Sequence, residues 1–489
     1  MKAPTPPRAR AAAGPAKKSE ASQPAGAQSA PADPAGEGAA ASASQATPAG
    51  VTTAGPTASP AKPRPARVHP PAAGALSPTD SKSPYPPPAP EPTQAGPNGI
   101  RFDFNNGCRV QLPKRAKGSW RIRLRDLDTG NILFESENQG ATISSSKRWF
   151  IRFRIEVWEF EEGVEAPPQP VFSHDLDLAG HEVLIQFPIG TLGDTMGWFS
   201  YCDRFARQHP QCRVTVALSG LIIPLLRNAY PNLTLLTHKE ALAQSVAARA
   251  YATYSVGLFF DDVACNLQPV DFRHVGLHRT AGYILGVDPA EEAPRLVLPD
   301  ESRPIPEPYV CIAVQASSAA KTWTNPTGWH EVIRFLKDHG YRVICIDQKQ
   351  VHGQGLLWTH IPHGAEDKTG ISLAEAARWL RHAEFFVGLS SGLSWLAWAA
   401  GTPTVVISGF SLPSTEFATP YRVINWHTCN GCWSDPTQRF DHHDFLWCPR
   451  HANTPRQFEC TRLITAAHVM RVIQSIPGFG EPAPRLAGA

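Results

Sequence analysis

Residues 385–406 read FFVGLSSGLSWLAWAAGTPTVV. Phe385 to Leu389 is an unbroken apolar run of strand length, the pattern of a strand buried on both faces. Ser390, Ser391 and Gly392 break the run with a small-residue turn, a helical stretch follows, and Thr404 to Ser408 supply a second strand. Strand, turn, helix and strand make a βαβ unit. The turn sits at the carboxyl end of the first strand, so several N–H groups at the helix start are free to cradle an anion such as a diphosphate. An ordinary strand–helix turn has the same local pattern, so the neighbouring loops must decide between the two.

Working outward, the same grammar recurs. VLIQF (183–187), VTVAL (214–218) and LTLLT (233–237) form one set; VCIAV (310–314), VICID (343–347), FFVGL (385–389) and TVVIS (404–408) form another. A Pro-rich stretch, Pro294 to Pro308, divides them. The expected fold is α/β, with two Rossmann-like domains, 181–300 and 301–425, facing a cleft in which ligands bind beyond the carboxyl ends of the strands. Residues 99–180 have period two instead. In RWFIRFRIEVWEF, Trp149, Ile151, Phe153, Ile155 and Val157 alternate with polar neighbours, as expected for an N-terminal antiparallel β domain.

Residues 1–98 hold 22 of the 48 prolines and one aromatic residue, too little apolar surface to offset ordering entropy, so a disordered Pro/Ala-rich tail is expected. That tail carries nine Lys/Arg against five Asp/Glu. Most of the chain's net charge of +3 therefore lies there, and the remainder is near neutral, which excludes nucleic acid as a dominant partner. The start lacks the apolar core of a secretory signal and no apolar run reaches membrane-spanning length, so a cytoplasmic protein is expected. Ten cysteines in 489 residues are not a disulfide framework.

Four of those cysteines are spaced otherwise. Cys429 and Cys432 form a close pair, and Cys448 and Cys460 follow in a segment poor in periodic apolar residues, the arrangement of a four-cysteine metal finger at 426–462. Four thiolates suit zinc or iron equally. A closed site of this kind is structural, with one metal per chain, and His442, His443 and His451 are expected at its surface or around it. A C-terminal helix and tail, 463–489, complete the chain.

Two further loops carry chemistry. Pro188 to Thr195 follow the strand 183–187, with Gly193, Asp194 and Thr195 just ahead of a helical stretch that begins near Met196; a carboxylate there can take a proton from a hydroxyl, or simply cap the helix. Gln315 to Trp323 follow the strand 310–314, with Lys321 as a compact cation among small hydroxyl residues. The triplets Asp126-Leu127-Asp128 and Asp175-Leu176-Asp177 lie outside the Rossmann loops and read as turns.

Taken together, PIGTLGDT, the Ser/Lys loop and KTGISLAE leading to FFVGLSSGLSWLAWAAGTPTVV closely resemble the ADP-heptose glycosyltransferases of lipopolysaccharide core, which are two-domain GT-B enzymes. Ser390 and Trp395 depart from that pattern, where an acidic residue and a histidine are usual. These departures, with QASSAAKTWTNPTGW and the finger, resemble the autotransporter heptosyltransferases. The resemblance implies inverting transfer of heptose from ADP-heptose to serines of an autotransporter adhesin. It implies Asp194 as general base, Lys321 as the phosphate-binding lysine, and Gly193, Thr195, Ser391, Gly392 and Leu393 as substrate-binding residues. It also implies iron in the finger and a large ring-like homo-oligomer, a dodecamer. Two alternatives remain: a lipopolysaccharide-core heptosyltransferase, against which the finger and β domain count, and a non-catalytic metal-finger scaffold, which has no need of Asp194 and Lys321 together.

Overall fold

The apolar runs become strands where their patterns place them. The computed structural model describes residues 88–161, 164, 168–187 and 191–481, all within one compact unit. In the second half of the chain a six-stranded sheet is parallel throughout, in the order 366–367, Arg342–Cys345, Tyr309–Ile312, Phe386–Leu389, Thr404–Ile407 and 422–423. Val310, Ile312, Val387, Val405 and Ile407 are fully buried. Helices Gly328–Asp338 and Ala466–Gln474 pack on this sheet through Val332, Leu336, Val469 and Ile473.

The first half is built the same way but borrows strands. Thr234–Thr237, Arg213–Leu218, Glu182–Gln186 and Ala252–Ser255 lie parallel, and Arg101–Asn105 then continues the sheet in parallel beside Ala252–Ser255. Arg109–Gln111 and Thr142–Ser144 extend it further as antiparallel neighbours. The N-terminal region expected at 99–180 is therefore not a self-contained β domain. Its first strand is tied to the Rossmann sheet by buried side-chain hydrogen bonds: the Asn105 amide, which also donates to Asp103 at 2.9 Å in its own strand, donates to Ala250 O at 2.7 Å, and the Thr253 hydroxyl donates to Asn105 Oδ1 at 2.6 Å. Leaving either group unpaired would cost roughly 1–3 kcal/mol.

The rest of that region is the expected antiparallel sheet, in the order Ile132–Asn138, Ser119–Asp126, Phe153–Phe160 and Phe172–Asp175. Trp120, Ile122 and Leu124 face inward, while Arg121 and Arg123 face out to pair with Glu137 and Glu135. At the turn Asn105–Gly107, Asn106 and Gly107 have φ of 57° and 91°, the left-handed region that Asn and Gly tolerate. The tail boundary at 98 also moves: Gln94–Ala95 pairs with Arg101 and Phe102, and Arg109 donates to Ala89 O at 2.9 Å. The remainder of the expected tail, 1–87, lies outside the described residues.

Candidate active site

Two helix starts, one from each half, meet face to face. The helix Leu192–Gln208 follows the strand Glu182–Gln186, and Gly392–Ala399 follows the strand Phe386–Leu389. A Cβ on Gly392 would lie 2.9 Å from Leu192 Cβ, and one on Gly193 would lie 2.8 Å from Trp395 Cδ1. Both positions need glycine so that the two helices can touch. The expected start of the first helix near Met196 thus moves back to Leu192, which places Asp194 in the first turn.

Asp194 does both things its position allows. The Thr191 N–H and hydroxyl donate to its Oδ2 at 2.9 and 2.8 Å, so it closes the helix start as a cap. Burial nevertheless raises its carboxyl above the usual range, with the Thr191 hydrogen bonds and the charges of Lys321 and His442 acting in the opposite direction. Thr195 beside it is buried, and its hydroxyl has no hydrogen-bond partner among the described residues.

At the second helix the arrangement is complementary. Among the described residues no side chain caps Gly392–Ala399 and none partners the buried Ser391 hydroxyl, and Ser391 itself is extended with φ −143°. Leu393, half-buried, packs on the core beside it. Ser390 is not part of this opening. Its hydroxyl lies 2.9 Å from Ser408 Oγ and 3.0 Å from Ser411 Oγ, and 3.4 Å from Glu416 Oε2, whose carboxylate is ion-paired to Arg422 at 2.5 Å.

Lys321 ends a single 3-10 turn, Ala319–Lys321, in which the Ser318 hydroxyl accepts the Ala320 N–H at 3.3 Å. Burial lowers its ammonium below the usual range, while the carboxylates of Asp194 and Glu416 pull it back up. Ahead of this loop, the Asp347 carboxylate accepts the N–H groups of Val314 and Gln315 at 2.8 and 3.1 Å, and burial pushes it up to about 6. The structure therefore brings Gly193, Asp194 and Thr195 on one helix start together with Ser391, Gly392 and Leu393 on the other, and places Lys321 within electrostatic reach of Asp194.

His442 joins them. It is exposed and lies within the finger segment, as expected, and it also feels the charges of Lys321 and Asp194. Partial burial, followed by the Lys321 charge, holds its imidazole below its ordinary value. Of the two D-x-D triplets only the first is the expected turn, with Asp126 accepting the Asp128 N–H and the Thr129 hydroxyl; Asp175 instead ends the strand Phe172–Asp175, where it pairs with Arg154 on the neighbouring strand.

The four finger cysteines are neighbours in space. Burial pushes the Cys432 and Cys460 thiols up to about 12, and the other cysteines of the set add to the shift. Arg450 Nη1 stands 3.7 Å from Cys429 Sγ, and the Cys429 N–H donates to Glu459 at 2.9 Å. The donor set fits a thiolate-bound metal, whose binding would displace the thiol protons. The thiols are not drawn to ligand spacing: among the described residues, no group of three or more His, Cys, Asp or Glu is arranged to hold an ion.

Comparison with known proteins gives this geometry a family. Residues 96–161 match the N-terminal domain of glycosyltransferase TibC, and residues 285–441 match glycosyltransferase family 9, heptosyltransferase. The chain is 54% identical over 388 residues to the autotransporter heptosyltransferase BAHTCr of Citrobacter rodentium, covering 79% of this chain and 91% of the relative. It is 55% identical over 386 residues to TibC of Escherichia coli O78:H11, with the same coverage. The chain belongs to the autotransporter heptosyltransferase family. It is thus a glycosyltransferase by family. The crystal structure of the iron-containing dodecameric TibC superposes with a TM-score of 0.74 at 54% identity, covering 80% of this chain and 98% of TibC, and TibC has also been solved with ADP-D-β-D-heptose. The family also includes a Burkholderia thailandensis member named inactive, BimC, 43% identical over 84% of this chain and 96% of its own length. Membership and turnover are therefore separate properties. No helix among the described residues is long and apolar enough to cross a membrane.

Proposed function

We propose that this chain transfers heptose from ADP-heptose to serine hydroxyls of an autotransporter passenger, with inversion, in a GT-B cleft between its two α/β halves. One observation carries the reading: the helix start that bears Asp194 abuts an uncapped helix start at Ser391–Gly392, with Lys321 near enough for its charge to act on Asp194. Asp194 takes the serine proton as the oxygen forms its bond to the anomeric carbon. The bond from that carbon to the diphosphate breaks, and the negative charge leaves on ADP. Lys321 and the N–H groups at Ser391–Leu393 stabilise that charge, the latter through the partial positive charge of a helix N-terminus. Thr195 and Gly193 shape the acceptor side, and no divalent cation is needed for the leaving group.

Cys429, Cys432, Cys448 and Cys460 are the residues to hold one structural metal per chain, iron by analogy with the TibC crystal structure and zinc by equal donor chemistry. Such a metal would stabilise the fold of segment 426–462. The same analogy supports a large homo-oligomer, a dodecamer, and the cytoplasm is the proposed location.

The test is transfer by the purified chain from ADP-heptose to an autotransporter passenger and, separately, to a lipid-linked core oligosaccharide. ADP release with the passenger alone is expected. Release only with the oligosaccharide would make this a lipopolysaccharide-core enzyme, and release with neither would place the chain with the family's inactive member.

A further inference from the structure

The Lys321 ammonium lies against three aromatic rings, 5.3 Å from the centroid of Phe410, 5.5 Å from Phe440 and 5.6 Å from Trp433. The rings pack on one another with centroids 5.3–5.5 Å apart and are almost wholly buried. Among the described residues, the ammonium makes no hydrogen bond and no ion pair within 4.0 Å. Two of the three rings, Trp433 and Phe440, belong to the four-cysteine segment and not to the Rossmann halves.

That segment is also stitched to the loops it overlies. The Ala319 N–H donates to Phe445 O at 2.8 Å, the Trp433 N–H to Phe410 O at 3.0 Å, and Arg273 of the first half donates to Pro436 O at 3.1 Å. We propose that Trp433 and Phe440 are positioning residues for Lys321, through which the four-cysteine segment sets the geometry of the diphosphate site. The inference rests on the donor role of Lys321 given above.

The physical case is one of preorganisation. A buried lysine needs a partner, and the nearest carboxylates are Asp194 and Glu416, whose charges it already feels. An ion pair with either would occupy the ammonium and compete with the diphosphate. Ring faces hold the cation without neutralising it, so its charge remains available to an incoming anion. Removing a ring lets the lysine turn toward a carboxylate, and the anion binds more weakly.

The test uses the full-length metal-loaded protein and ADP as the probe, by calorimetry. Phe440 is midway between Cys432 and Cys448, so its replacement leaves the thiols untouched. Phe440→Leu is expected to weaken ADP about three- to tenfold, and Phe440→Tyr to bind as the unmodified chain does. Trifluorophenylalanine at 440 keeps the ring's shape while withdrawing its electron density, so it covers the case in which the leucine variant does not fold; a loss of ADP affinity is expected here too. In a Lys321→Ala background the fluorinated ring should have no further effect. Unchanged affinity on fluorination, or an equal loss with and without the lysine, would overturn the proposal. Unchanged ADP affinity in Lys321→Ala alone would instead overturn the donor role beneath it.

Discussion

The two helix starts that meet in the cleft are alike in origin and opposite in chemistry. Each follows a buried parallel strand and each needs a glycine where the other helix presses on it. At Thr191–Asp194 the start is closed by its own carboxylate, with two hydrogen bonds to one oxygen. At Ser391–Gly392, among the described residues, no side chain closes it, and a buried hydroxyl is left unpartnered. The closed end holds negative charge suited to an acceptor's proton, and the open end offers donors suited to a diphosphate. On the proposed reading, a single repeated βαβ device would supply base and anion cradle according to whether its cap is filled.

The strongest way to break this contrast is to neutralise the closed end. Asp194→Asn is expected to reduce transfer by about 10²–10⁴ while changing ADP affinity less than twofold, measured as turnover and by calorimetry. Equal losses in both would show that the two ends are not separable. Gly392→Ala strikes the contact itself: the added carbon meets Leu192 Cβ at 2.9 Å, so a loss of about 1–3 kcal/mol in unfolding stability and weaker ADP binding are expected. A variant as stable as the parent would mean the helices move apart without cost.

The smallest effect sharpens the contrast. The Thr191 hydroxyl holds the Asp194 carboxyl down against the burial that raises it. A base works when deprotonated, so activity falls as pH drops through its pKa. Thr191→Ala removes one opposing hydrogen bond and raises that pKa further, so the acid limb of kcat/KM should move to higher pH, with about 0.5–2 kcal/mol of stability lost with the cap. A limb that stays in place would assign it to another group.

Much of the frame was legible because burial on both faces leaves a contiguous signature. VLIQF, VTVAL, VCIAV, VICID, FFVGL and TVVIS all lie on or beside observed strands. Ala252–Ser255 escaped, since its Tyr, Thr and Ser conceal a buried strand behind polar atoms. The first helix was read four residues short because Gly193 looks like a loop residue, whereas it is small to admit Trp395. Asp194, Lys321 and the Ser391–Leu393 turn could be found because each sits at a strand's carboxyl end. His442, Trp433 and Phe440 could not. They reach the site from a segment without periodicity, and their partners lie more than a hundred residues away in the chain. The sharing of Arg101–Asn105 with the first sheet was hidden for the same reason, as a period-two pattern does not name its neighbour.

The central claim is that Asp194 is the base for transfer of heptose to a protein hydroxyl, and intact mass spectrometry of an autotransporter passenger co-expressed with the chain tests it most directly. The account predicts a passenger heavier by whole heptose units, carried on serines, with the unaltered chain and an unmodified passenger with Asp194→Asn. An unmodified passenger in both cases, or heptose added equally by the variant, would contradict it.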